Sequence, residues 1–266
     1  MDAHSKAVLV ERMGRVLVAT INRPDARNAV NQDVWTGLGN ALELADQDDQ
    51  IWAFIVTGAG DKAFSAGADL KAVSRGEQIQ PADPRQRAWG FAGYVRHHIS
   101  KPTIAAVNGF ALGGGTEISL ASDLVVAADT ASFGLPEVKR GILAAAGGVF
   151  RLPAQLPKKV AMEMIMTGEP ISAQRACELG LVNRVVPQDR VVDAALELAR
   201  SVCANAPLSV QASKRIALGI IDGQVAAEDQ SWALSEAESR QLRTSADSAE
   251  GPLAFAEKRQ PVWQGR

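Results

Sequence analysis

The chain has 266 residues, of which 47% are hydrophobic and 22% charged, with 23 Gly and 12 Pro; this is the usage of a globular protein and excludes a disordered, collagenous or low-complexity chain. A formal charge of −2 offers no basic field to a phosphate backbone, so nucleic acid is not an expected partner. The length suits one large domain with a small annex; with no run of about 18 apolar residues and no apolar core in Met1 to Arg12, neither a secretion signal nor a membrane span is expected.

Val8–Val10 and Val16–Ile21, separated by Met13-Gly14-Arg15, predict an opening hairpin. Val34, Leu38, Ala41 and Ala45 then repeat at helical spacing behind a capping Asn31, and Asp46–Gln50 closes that helix. Trp52–Thr57 predicts a buried strand. Arg75–Arg87, with Pro81 and Pro84, predicts a mobile loop, and the stretch holding His97 and His98 a helix that leaves both partly exposed. Thr103–Val107 predicts a strand that leads through a Gly-rich turn into a helix over Gly115–Ala121 and a strand over Leu124–Ala127. Strands alternating with helices indicate an α/β fold with parallel pairing. Beyond Gly147 helical spacing dominates, over Ala154–Met166, Ala173–Leu179, Val191–Ala204 and Leu208–Ile220, with one strand at Leu181–Val186. Val191, Ala195, Leu198 and Val202 give the clearest stripe. A boundary at Asn205–Pro207 divides a core, 1–205, from a helical annex, 206–266, whose Trp232, Leu234 and Leu242 need cover from the body or from another subunit. No internal repeat is visible.

Gly58-Ala59-Gly60-Asp61-Lys62-Ala63 matches a dinucleotide fingerprint in outline. The small, Gly-interrupted residues that follow make a poor helix to hold a pyrophosphate, so the fingerprint is rejected. Serine-hydrolase, zinc-hydrolase and P-loop motifs are absent. Cys177 and Cys203 form no CxxC and sit beside no His, which argues against zinc or a disulfide framework and fits a reducing cytoplasm. His4 is terminal. Two turns carry chemistry: Ala63–Lys71, where small residues let a ligand approach the backbone and a short helix begins near Asp69, and Asn108–Glu117, which feeds a helix exposing unpaired N–H groups. Two amides converging on one oxygen make an oxyanion hole, although either turn alone is equally well a tight connection. Glu117 and Glu137 stand in small, apolar surroundings; singly each reads as a capping or solvated residue, together as the acid and base that addition of water requires. Trp89, Phe91 and Tyr94 are candidates for a pocket wall or for core.

At these residues the chain resembles the enoyl-CoA hydratase/isomerase (crotonase) superfamily over essentially its whole length. Ile21-Asn22-Arg23-Pro24-Asp25-Ala26-Arg27-Asn28-Ala29 resembles the family's early CoA-contacting turn, Ala66-Gly67-Ala68-Asp69-Leu70-Lys71 the loop with the first oxyanion donor, and Lys101-Pro102 to Glu117 the segment with the second donor and the first glutamate. The resemblance implies a spiral of ββα units with a helical C-terminal region used for trimerisation, commonly as a dimer of trimers. It implies an acyl-CoA thioester substrate with no metal or redox cofactor. It further implies an oxyanion hole from Ala68 and Gly114, a catalytic pair Glu117 and Glu137, and CoA or substrate contacts from Ala26, Arg27, Ala29, Ala66, Asp69, Leu70, Lys71 and Gly113. The expected activity is hydration of a 2-enoyl-CoA, with Glu117 activating water and Glu137 exchanging the Cα proton. Carnitinyl-CoA dehydratase is the alternative that the tail Glu250–Trp263 also resembles; retention of both glutamates argues against an isomerase, and an acyl-CoA-binding scaffold is the alternative outside the enzymes. Thr116 in place of a common Cys, and Ala144 where hydratases often have Pro, predict a different acyl pocket. With Arg75, Arg85 and Arg87 near its expected wall, a neutral acyl tail is expected over a cationic one.

Overall fold

The computed structural model describes residues 7–266, so His4 lies outside the described part. β1 (Val8–Met13) and β2 (Val16–Ile21) pair antiparallel across Gly14-Arg15. α1 (Gln32–Gln47) begins where Asn31 accepts the Val34 N–H and buries Val34, Leu38, Ala41 and Ala45. β3 (Ala53–Gly58), β4 (Ala63–Ser65) and α2 (Leu70–Ser74) come next, followed by α3 (Pro84–Ala88). β5 (Thr103–Val107), β6 (Phe110–Leu112) and α4 (Gly114–Ala121) repeat the order strand, strand, helix. β7 (Leu124–Ala128) and β8 (Ser132–Gly134) repeat it again and end in a 3-10 turn, Pro136–Arg140. α5 (Gly148–Gln155), α6 (Lys158–Thr167), β9 (Ile171–Ser172), α7 (Ala173–Glu178), β10 (Arg184–Val186) and α8 (Val191–Cys203) complete the body. After Pro207 come α9 (Pro207–Leu218), a two-residue hairpin of β11 (Ile220–Ile221) and β12 (Gln224–Val225), α10 (Asp229–Leu242) and α11 (Ala246–Ala256).

The long strands form one sheet, β1-β2-β3-β5-β7-β10, parallel from β2 onward. The short second strands form another, β4-β6-β8-β9, parallel through β8. The chain thus winds as a spiral of ββα turns, each placing one strand in each sheet. The core lies between the large sheet and the helices α1 and α8.

Several sequence expectations need correction. A repeat does exist: its second strands are three residues long, too short to show a period of two. For the same reason the Gly-rich turn after β5 does not lead straight into a helix, because β6 intervenes. The predicted loop Arg75–Arg87 contains the start of α3, capped by Asp83 through the Arg85 N–H. His97 and His98 do not stand on a helix: Gly90, Ala92 and Gly93 all take positive φ, which breaks the segment into a 3-10 turn at Phe91–Gly93. The helix expected over Ala154–Met166 is two, divided at Leu156-Pro157, with α5 starting already at Gly148. The strand expected over Leu181–Val186 is confined to Arg184–Val186. On α8 the buried line runs Val191, Ala195, Ala199, leaving Leu198 and Val202 at its edge.

Candidate active site

Three parallel strands of the small sheet end at one place, and loops at the carboxyl ends of parallel strands are where open sites form. β4 hands over to Ala66-Gly67-Ala68, β6 to Gly113-Gly114 and β8 to Leu135-Pro136-Glu137. The first two turns touch: a methyl on Gly67, whose φ is +83°, would lie 2.8 Å from the Gly114 nitrogen, so glycine is required for the approach. The hydrogen bonds on either side of Ala68, from Val30 N–H to Gly67 O and from Asp69 N–H to Val30 O, pass over its own N–H. Gly114 N–H is the first of α4 and has no acceptor within its helix. Two amide N–H groups on abutting turns are thereby left without a backbone acceptor.

Glu117 lies one turn into α4, 3% exposed, and its Oε1 accepts from Gly148 N–H at 2.9 Å, at the start of α5. Glu137 stands in the 3-10 turn with Oε2 buried and without a hydrogen-bond partner; a methyl on Gly113 would lie 2.6 Å from its Oε1. Burial raises the pKa of Glu117, and the neighbouring Glu137 charge raises it further against the Gly148 and Ala146 N–H groups and Arg151. Burial likewise raises that of Glu137. Two such carboxyls resist double ionisation, so the pair keeps a proton to a higher pH than free carboxyls would. A buried carboxylate oxygen left unpaired carries a free-energy cost that a bound hydrogen-bond donor would offset.

These raised pKa values carry a stability cost of definite sign. The folded carboxyls hold protons that the unfolded chain releases near its ordinary pKa of about 4.3, so stability falls as pH rises through the folded pKa. Glu137→Gln removes the ionising group. Its Tm relative to the wild type should therefore climb by several degrees between pH 5 and pH 9 in scanning calorimetry, at roughly 2–4 °C per kcal/mol for a chain of this size. A difference independent of pH would show that Glu137 titrates normally.

The residues expected to contact CoA fall beside this centre. Ala26 and the exposed Arg27 end a 3-10 turn at Pro24–Ala26, Ala29 is buried, and Ala66 N–H donates to Arg27 O at 3.0 Å, so the 26–29 edge runs along the 66–69 turn. Ala66, Leu70 and Lys71 are exposed and Gly113 is buried beneath Glu137. Asp69 differs: its carboxylate caps Ala72 N–H at 3.0 Å and pairs with Arg23 at 2.9 Å. Burial works to raise its pKa, but the Ala72 N–H and Arg23 outweigh it and the net direction is down. Asp69 fastens the loop.

Sequence reading missed three supporting residues, Asn28, Gly148 and Arg151, and left a fourth, Phe91, open between pocket wall and core. Asn28, fully buried at φ 54°, accepts from Arg23 N–H and donates to Ala59 O and Ala63 O, tying the first turn to the strand ends; an Asn beside a tight turn was the available signal. Phe91 packs so closely on Gly114 that a methyl there would lie 2.6 Å from its Cζ. Gly148 supplies the amide for Glu117. Arg151, also on α5, is held by Glu228 of the annex through contacts of 2.8 and 2.6 Å.

The expected pocket wall is reduced. Only Phe91 of its three aromatics reaches the site: Tyr94 is buried with its hydroxyl on Ser122, and Trp89 stacks on His97 at 4.7 Å. Arg75 pairs with Glu77, Arg85 with Glu43, and Arg87 donates to Pro81 O and Ala82 O, so the charges expected to repel a cation are engaged elsewhere. Thr116 does not line a pocket either; its buried hydroxyl joins Ala111 O, Gly134 O and Gly134 N–H, bridging β6 and β8.

Two abutting turns with amides free of backbone partners, together with two buried glutamates on a ββα spiral, form an arrangement that can serve proton transfer at carbon next to a polarised carbonyl. A family model described as enoyl-CoA hydratase/isomerase matches residues 11–266, and the chain belongs to that family. It is 44% identical over 265 residues to a carnitinyl-CoA dehydratase of Escherichia coli O157:H7, covering 98% of this chain and all of the other. Among solved structures it is similar to a carnitinyl-CoA hydratase from Mycobacterium avium, with 60% identity and TM-score 0.96 over 98% of this chain and 99% of that one. It is also similar to an enoyl-CoA hydratase from Mycobacterium tuberculosis H37Rv, with 44% identity and TM-score 0.76 over 98% and 100%.

Proposed function

We propose that the chain is an enoyl-CoA hydratase, a hydro-lyase that adds water reversibly across the 2,3 double bond of an enoyl-CoA thioester. The observation that carries this reading is the orphaned, buried carboxyl of Glu137 set with Glu117 against the two amide-bearing turns. In the forward direction Ala68 and Gly114 N–H receive the thioester oxygen as enolate charge develops, worth about 2.7–4 kcal/mol per donor. Glu117 takes a proton from the water that attacks Cβ, and Glu137 delivers one to Cα; dehydration runs the same steps backward. The 26–29 edge and the exposed side of α2 with Leu70 and Lys71 lie where the CoA moiety enters. All of this is done by carboxylates and amides of the chain, with CoA arriving as part of the substrate. Loss of the conjugated thioester absorbance of crotonyl-CoA is the test.

Carnitinyl-CoA dehydratase is the second reading, favoured by the names of relatives 42–44% identical. A trimethylammonium head group calls for aromatic faces or a carboxylate, each face contributing about 0.5–2 kcal/mol, and Phe91 is the one wall aromatic that reaches the site. A neutral tail is therefore preferred to a cationic one. A kcat/KM for crotonobetainyl-CoA tenfold above that for crotonyl-CoA, about 1.4 kcal/mol, would decide for the dehydratase.

The annex, 206–266, is proposed as the oligomerisation region. Leu208, Ile216 and Ile221 are 77%, 82% and 70% exposed, more apolar surface than a thin helical layer leaves to water without a partner. Light scattering should give a trimer or hexamer at micromolar concentration; an active monomer would contradict this. No helix among the described residues is long and apolar enough to cross a membrane, and the unpaired Cys177 and Cys203 suit the cytoplasm.

A further inference from the structure

Directly after Glu137, the loop 141–147 carries the chain to the amides of Ala146 and Gly148 that hold Glu117. Residues of this loop also form one wall of a second space, a cavity of about 180 Å³ between Ile142, Leu143 and Ala145 on one side and Ser239, Leu242 and Arg243 of the annex on the other. The lining is thus one residue away from Ala146 and its contact with Glu117. Ser235, Ser239, Leu242 and Arg243 repeat at i, i+4, i+7 and i+8, so α10 turns one face to this loop, and the Ser235 hydroxyl reaches Ala145 O at 3.5 Å.

The lining combines two kinds of chemistry. Ile142, Leu143 and Leu242 supply apolar lining of the kind an aliphatic chain packs against. The Ser239 hydroxyl is buried and has no hydrogen-bond partner, an arrangement that costs free energy unless a ligand completes it. Arg243, exposed at the rim, donates through Nε to the Ser239 backbone carbonyl at 3.2 Å, which holds its guanidinium on the same turn of helix, and no described carboxylate lies within salt-bridge distance of it. None of the lining residues is acidic. A hydroxyl donor beside an unpaired guanidinium matches an anion, and carboxylate is the group that such a fork receives in two parallel hydrogen bonds.

We propose that this cavity receives the far end of the acyl chain and that Ser239 and Arg243 select 2-enoyl-CoA thioesters ending in a carboxylate. The assignment rests on the hydratase reading. It also gives the disfavour for a cationic head group a physical source, Arg243, in place of Arg75, Arg85 and Arg87.

The test measures kcat/KM for a series of 2-enoyl-CoA thioesters of five to eight carbons, each with a terminal carboxylate or a terminal methyl, together with crotonyl-CoA. The wild type should favour the carboxylate over the methyl terminus by at least tenfold at one chain length. Arg243→Gln should reduce that ratio tenfold or more, and Ser239→Ala threefold or more. Turnover of crotonyl-CoA without discrimination at the far terminus, or a ratio unmoved by both substitutions, would overturn the subsite while leaving the hydratase reading standing; a preference for crotonobetainyl-CoA would overturn the subsite and decide for the dehydratase. No turnover of any thioester would overturn both.

Discussion

Glu137→Gln and Glu117→Gln should each lower kcat/KM for hydration of crotonyl-CoA by about 10²-fold or more, with circular dichroism unchanged. Gln fills the same volume but neither takes nor gives a proton, and general acid–base catalysis is worth about 10²–10⁴-fold. The two losses should not multiply in the double variant, because each glutamate works on the same water and the same enolate and groups that act as a unit are non-additive. Their Tm response keeps the result from being confused with misfolding: loss of a buried carboxyl of raised pKa stabilises the protein at alkaline pH while it removes activity. Turnover at the wild-type rate in either variant would return that glutamate to a capping or solvated role.

The second large effect is expected at Gly114. A methyl there would lie 2.6 Å from Phe91 Cζ and 3.1 Å from Gly67 Cα, so Gly114→Ala must displace either the aromatic ring or the turn that presents Ala68. Misplacing one oxyanion donor costs roughly 10²–10³-fold in kcat, and a shift of about 1 Å is enough to cost 10²-fold. Gly114→Ala should therefore lose about 10²-fold or more in kcat. Adding Phe91→Leu should recover at least tenfold of it, since the ring is the nearer obstacle. Failure of the second substitution to restore activity would place the damage at Gly67 instead, and full activity of Gly114→Ala would remove this amide from the site.

The particular elements explain why sequence reading went as far as it did. α1 was legible because a cap and four apolar residues at helical spacing coincide with real burial. The long parallel strands were legible because β-branched, apolar runs buried on both faces need no alternation. β4, β6 and β8 were not: three residues carry no period, and what fixes them is pairing with one another from distant parts of the chain. The glutamates and glycines of the site stood out by their neighbours in sequence, yet only the parallel register that brings three strand ends together makes a site of them. Segment 89–98 misleads because its apolar residues imitate a helix while the backbone takes positive φ at Gly90, Ala92 and Gly93. Arg151 was invisible as a contributor because its partner Glu228 lies 77 residues further on.

The most direct test of two glutamates adding water beside a polarised thioester is the fate of crotonyl-CoA in deuterated water, followed by absorbance and by NMR of the product. The proposed chemistry requires 3-hydroxybutyryl-CoA carrying one solvent deuterium at Cα, formed at a rate that drops about 10²-fold or more in Glu117→Gln and in Glu137→Gln. Unchanged crotonyl-CoA, or a shifted double bond with no oxygen added at Cβ, would contradict it.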